Sequence, residues 1–123
     1  MVDNSKIGRE AMAQGRPPKV IQVYSKYKAK RPHGAHGKLG DRVKVAILGQ
    51  KKEGIIVGMK QKQVHGIPRF DSNNVVLIDS SGSPLGTRIH APIPNCIREV
   101  LKDKSHPKKA DYTKIMAIAT RFV

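Results

Sequence analysis

The chain has 123 residues, room for one compact domain with a modest core and no guarantee of a deep cleft. Its 24 Lys and Arg against nine Asp and Glu leave a formal charge of +15, which repels itself unless a polyanion relieves it. Only 38% of the residues are apolar, and no apolar run approaches the roughly 18 residues of a membrane span, so the sequence predicts a soluble protein with no membrane partner.

The opening Met1-Val2-Asp3-Asn4 lacks the apolar core of a signal peptide and the Arg- and Ser-rich character of an organellar leader, so a targeting segment is either absent or removed. Val20 to Tyr27 is rich in β-branched and aromatic residues behind Arg16-Pro17-Pro18, and predicts a strand. Lys28 to Gly40 combines basic residues with Gly and Pro and predicts an exposed arm. In Arg42 to Leu48 the alternation of Val43, Val45 and Ile47 with Lys44 and Ala46 predicts a strand buried on one face. Gly49 to Gly54 reads as a basic turn, and Ile55 to Lys60 as the returning strand of a β-hairpin. Ser72-Asn73-Asn74 favours a bend. Val75 to Asp79 predicts a strand buried on both faces, and Leu85 to Ile89 a strand running back. Asn95 is placed to cap a short helix over Cys96 to Leu101. The spacing of Tyr112, Ile115, Ile118 or Ala119, and Phe122 favours a last short helix, with a strand as the alternative. The expected fold is mainly β: a small five-stranded antiparallel barrel in one domain, residues 1–123, with a projecting basic hairpin and a helical part from about 95 to 123.

The charge is unevenly placed: +7 over residues 1–40, +4 over 41–62, zero over 63–99 and +4 over 100–123. A neutral centre with basic ends suggests a scaffold whose loops and termini reach phosphates. Five aromatics and no Trp leave few platforms for single-stranded bases, so folded RNA or duplex backbone fits better. Cys96 is alone, which excludes an internal disulfide. His33 and His36 lack partners for a four-ligand zinc site, and no Gly-rich phosphate cradle occurs, so neither metal nor cofactor is expected. The acids are scattered beside turns and cations, and no spacing assembles the carboxylates of a nuclease. Arg69 and Arg88 can serve either as structural partners or as phosphate forks.

Val2-Asp3-Asn4-Ser5, the strand Val20 to Val23, Gly40-Asp41, Arg69-Phe70-Asp71-Ser72-Asn73-Asn74 and Gly86-Thr87-Arg88-Ile89 occur in order. Over nearly its whole length the chain resembles the universal large-subunit ribosomal protein L-fourteen family. Gly49-Gln50-Lys51-Lys52 followed by Ile55-Ile56-Val57-Gly58, and the ending Ala117-Ile118-Ala119 before Phe122-Val123, resemble its mitochondrial branch. The resemblance implies a five-stranded barrel without enzymatic activity, held in the mitochondrial matrix within the ribosome and not as a homo-oligomer. It implies binding to large-subunit rRNA, bridges to small-subunit rRNA across the subunit interface, a neighbour of the L-nineteen family, and docking of the ribosome-silencing factor around Pro94, Asn95, Ile97 and Arg98. The family's first strand precedes the Val2 to Ser5 motif, so the resemblance implies either a barrel that lacks one edge here or a sequence that is truncated before that strand.

Arg9, Arg16, Lys19, Lys26, Lys28, Lys30, Arg31, Lys51, Lys52, Arg69 and Arg88 are the expected RNA-facing set. The rival functions are a basic protein-interaction module and an RNA nuclease.

Overall fold

The computed structural model describes residues 5–24, 39–60, 73–104 and 113–123. Along the chain come α1 (Lys6–Ala13), β1 (Lys19–Tyr24), β2 (Arg42–Ile47), β3 (Gln50–Gly58), β4 (Asn74–Ile78), α2 (Asn95–Lys104) and α3 (Thr113–Ile118). The four strands form one open antiparallel sheet in the order β1-β2-β3-β4.

Helix α1 is not among the expected elements, yet its ends carry strong signals. Ser5 caps its start by accepting from Gly8 N–H at 3.2 Å. At its end Gly15 takes φ +67, with Gly15 N–H bonded to Met12 O and Arg16 N–H to Ala11 O, the paired bonds of a Schellman closure. Gly8 and Ala11 are buried while Lys6 and Arg9 face outward.

Strand β2 alternates as read from the sequence, with Val43, Val45 and Ile47 buried and Arg42, Lys44 and Ala46 only partly so. Its turn is tighter than expected. Ile47 pairs directly with Gln50, leaving only Leu48 and Gly49 between, both at positive φ in the manner of a type I′ turn. Gln50 to Glu53 therefore belong to β3 and not to a tip, because the positive φ required by a two-residue turn is met by Gly49 together with Leu48. Gly54 is the close approach of this strand to β4: a Cβ there would lie 2.9 Å from both Val75 Cγ2 and Val76 O.

Strands β3 and β4 divide two cores between their faces. Ile55, Val57, Val76 and Ile78 pack with Ile89, Ile93, Ile97, Leu101 and Ile115 from the C-terminal part. Ile56, Val75 and Leu77 pack with Val43, Val45, Ile47 and the Ala11 side of α1. All five residues of β4 are buried, as a continuous apolar strand between two layers requires.

Leu85 to Ile89 is not a strand, in contrast to expectation. Single bridges join Pro84 to Ile78, Ile89 to Ala119 and Ile93 to Phe122. Pro84, Pro92 and Pro94 lack the N–H that a ladder needs, so pairing stays at isolated points. The described residues thus contain four strands in an open sheet, and neither a fifth strand nor closure is seen among them. Helix α2 begins at Asn95 and runs three residues past Leu101 to Lys104. The last helix ends at Ile118, after which the chain is extended alongside residues 89–93. The basic arm from Lys28, the segment 61–72 and the loop 105–112 lie outside the described residues.

Candidate nucleic-acid interface

The register of the hairpin decides where its cations point. Lys19 is opposite Ala46, and Ala46 is opposite Lys51, so these three residues form one row across β1, β2 and β3. Paired residues share a face, so Lys19 and Lys51 flank the small Ala46 with their backbones about 10 Å apart. The next row on that face is Gln22, Lys44 and Glu53. Lys19, Lys44 and Lys51 thus make a cationic patch on the face of β2 opposite Val43 and Val45.

Lys52 points the other way. It is opposite Val45, is half-buried, and belongs with Gln50 on the α1 side of the sheet. A continuous basic tip of Lys51 and Lys52 is therefore replaced by two lysines on opposite faces, the direct result of strand alternation at positions read as a turn.

Local acids leave much of this charge unbalanced. Glu53 is engaged by Arg42 through Nη2 and Oε2, a diagonal ion pair across β2 and β3. Asp79 is committed to its own turn: Oδ1 accepts from the Ser81 hydroxyl at 2.8 Å, Ser83 N–H at 2.9 Å and Ser81 N–H at 3.0 Å. The Ser81 hydroxyl bond holds the Asp79 carboxyl below its ordinary range against an opposing effect of burial, with backbone donors adding to the lowering.

Arg9 is exposed on the outer side of α1, and Arg16 is exposed where the Schellman closure ends that helix. Arg88 is exposed beside Ile89, whose carbonyl accepts from the Thr120 hydroxyl at 2.9 Å. Lys26, Lys28, Lys30, Arg31 and Arg69 lie outside the described residues. Lys44 was missed by the sequence reading although the Val43, Val45, Ile47 alternation places it on the open face. Lys6 was missed together with its helix.

The expected docking residues divide by burial. Ile97 is 0% exposed and Pro94 is buried, so both hold α2 to the core and neither side chain is available to a partner. Asn95 and Arg98 are exposed. The C-terminal segment after α3 completes this surface: Asn95 N–H bonds to Val123 O at 2.9 Å, Val123 N–H bonds to Ile93 O at 2.9 Å, and the Arg98 guanidinium lies 4.5 Å from the centroid of the Phe122 ring.

Among the described residues no three His, Cys, Asp or Glu side chains come together, and no helix is long and apolar enough to cross a membrane. Sheet, cationic rows and paired acids define a basic, mainly β protein with surplus charge on one face of its hairpin.

The comparisons with known proteins carry this further. The family described as Ribosomal protein L14p/L23e matches residues 2–123. The Large ribosomal subunit protein uL14m of Danio rerio is 49% identical over 123 residues, covering 100% of this chain and 75% of that protein. The chain belongs to this ribosomal-protein family and is a structural protein, not an enzyme. The mitochondrial branch read from Gly49 to Gly58 agrees with the relative's designation.

Proposed function

We propose that the chain is a structural constituent of the mitochondrial large ribosomal subunit that binds large-subunit rRNA through the cationic face of its hairpin. The observation that supports this reading best is the register placing Lys19 and Lys51 on either side of Ala46, with Lys44 in the next row. Phosphates laid across these rows displace condensed counterions, while the two-sided core keeps the lysine spacing fixed. Arg9 and Arg16, at α1 on the other side of the sheet, and Arg88, in the segment before Ile89, are separate RNA contacts in this reading and do not belong to that face. Lys26, Lys28, Lys30, Arg31 and Arg69 are added from the sequence.

In this reading the protein lies at the subunit interface, bridges to small-subunit rRNA, and adjoins a protein of the L-nineteen family. Exposed Asn95 and Arg98, the latter braced on Phe122, form the docking surface for the silencing factor, with Ile97 and Pro94 as its foundation.

Charge reversal at Lys19 and Lys51 together tests the RNA surface. The variant is expected to keep its fold by circular dichroism and to lose co-sedimentation with large subunits. Unchanged incorporation with unchanged salt sensitivity overturns the assignment.

A further inference from the structure

In the two rows of the cationic face the register places a single carboxylate, Glu53, directly opposite Lys44. Residues directly opposite on one face of a sheet bring their Cβ atoms to about 5 Å, so Lys44 is the nearest cation by register. Glu53 nevertheless pairs with Arg42, one step along the diagonal, through Nη2 and Oε2. We propose that Arg42 is a positioning residue of the RNA-binding face: by occupying the Glu53 carboxylate it keeps the Lys44 ammonium available to a phosphate. The proposal rests on the RNA-binding reading of that face given above, and adds the device that keeps a lysine usable beside an acid.

Three features favour Arg42 over Lys44 as the partner of Glu53. The planar guanidinium matches a carboxylate with two donors and is more weakly hydrated than an ammonium. The side chains of Arg42 and Glu53 are only 23% and 30% exposed, so salt screens their attraction less than that of a pair on the open surface. The cross-strand neighbour of Arg42 on β3 is the fully buried Ile55, which offers the guanidinium no competing anion.

Without Arg42 the carboxylate stands partly out of water beside Lys44, and a charge left in that position takes the nearest opposite charge. Lys44 is then spent inside the protein, and Lys19 and Lys51 carry the face alone. An Arg42 that met phosphates itself would behave differently, because its loss would leave the contribution of Lys44 intact.

The salt dependence of binding to structured large-subunit rRNA, measured with the full chain, separates the two. In the parent, Lys44→Gln is expected to lower the slope of log K against log salt by about one. In an Arg42→Gln background the same substitution is expected to change the slope little, and with Arg42→Gln and Glu53→Gln together its full effect is expected to return. In the free protein, side-chain NMR relaxation should find the Lys44 Cε more ordered in Arg42→Gln than in the parent. Arg42→Lys keeps the charge without the planar fork; it is the second variant if Arg42→Gln disturbs the fold by circular dichroism, and it is expected to weaken the effect of Lys44→Gln in part. An effect of Lys44→Gln undiminished in the Arg42 variants, no return of that effect once Glu53 is neutral, or a Lys44 Cε equally mobile with and without Arg42 overturns the role of Arg42. A parent slope indifferent to Lys44→Gln instead overturns the reading of the face, so the two failures are distinguishable.

Discussion

Gly40 joins a backbone requirement to a packing requirement at one atom. It sits at φ +83, and a Cβ there would lie 2.6 Å from Val100 Cγ1, while its N–H bonds to Ile56 O at 2.8 Å. The residue thus closes the entry of β2 against β3 and lets α2 settle on the sheet. Gly40→Ala is expected to destabilise the fold by about 2–4 kcal/mol, the sum of left-handed strain and overpacking, measured by urea unfolding. Adding Val100→Ala should return the packing part and leave the backbone part, so a double variant no more stable than Gly40→Ala would show that the clash is not the cause. Asp79 tests the electrostatics of a turn. Its carboxyl is held below its ordinary range, chiefly by the Ser81 hydroxyl, so its charge contributes stability that is present above the unfolded carboxylate pKa and fades as pH falls through the lower folded value. Asp79→Asn should therefore be less stable than the parent at neutral pH, and the gap should close in acid below the usual carboxylate range. A gap independent of pH, followed by thermal unfolding, would assign the effect to hydrogen-bond geometry and not to charge.

At the scale of elements, the C-terminal segment after α3 is held not by a strand ladder but by isolated bridges and a few specific ties. Ile93 N–H bonds to Arg121 O at 2.9 Å, the Thr120 hydroxyl reaches Ile89 O, and Arg98 covers Phe122. Phe122→Ala combined with Arg98→Ala in a double-variant cycle should give a coupling of about 0.5–1 kcal/mol, the scale of an exposed cation–π pair, and additive losses would remove that contact from the account. These ties were not legible in the sequence, because they depend on residues some thirty positions apart that alternation cannot connect. Strands β2, β3 and β4 were legible because burial on one or two faces writes itself into the order of Val, Ile and Lys. The turn differs from the expectation for the opposite reason: Lys51, Lys52 and Glu53 are polar like loop residues, yet they pair with Ala46, Val45 and Lys44 as part of a strand. Helix α1 went unseen because its buried side consists of Gly8 and Ala11, too small to mark an apolar stripe, although Ser5 and Gly15 mark its two ends. The cationic surface was legible in amount and not in direction. Net charge follows from composition, whereas the separation of Lys51 from Lys52 follows only from register.

The whole molecule uses its sheet as a wall with different tasks on its two sides. Apolar layers on both faces of β3 and β4 make the wall rigid, and the hairpin end carries charge beyond them. A rigid cationic surface binding phosphates has a measurable signature, because each neutralised phosphate releases counterions and steepens the fall of affinity with salt. Lys19→Gln, Lys44→Gln and Lys51→Gln should each reduce the slope of log K against log salt by about one, for isolated protein titrated onto structured large-subunit rRNA. Lys52→Gln should leave that slope nearly unchanged, because its side chain lies on the Val45 side of the sheet, away from that face. Composition alone makes the four lysines equivalent, so equal effects of all four would mean that the charge acts as a diffuse cloud and that the sheet does not direct it. A loss confined to the first three would tie RNA affinity to the face defined by Ala46.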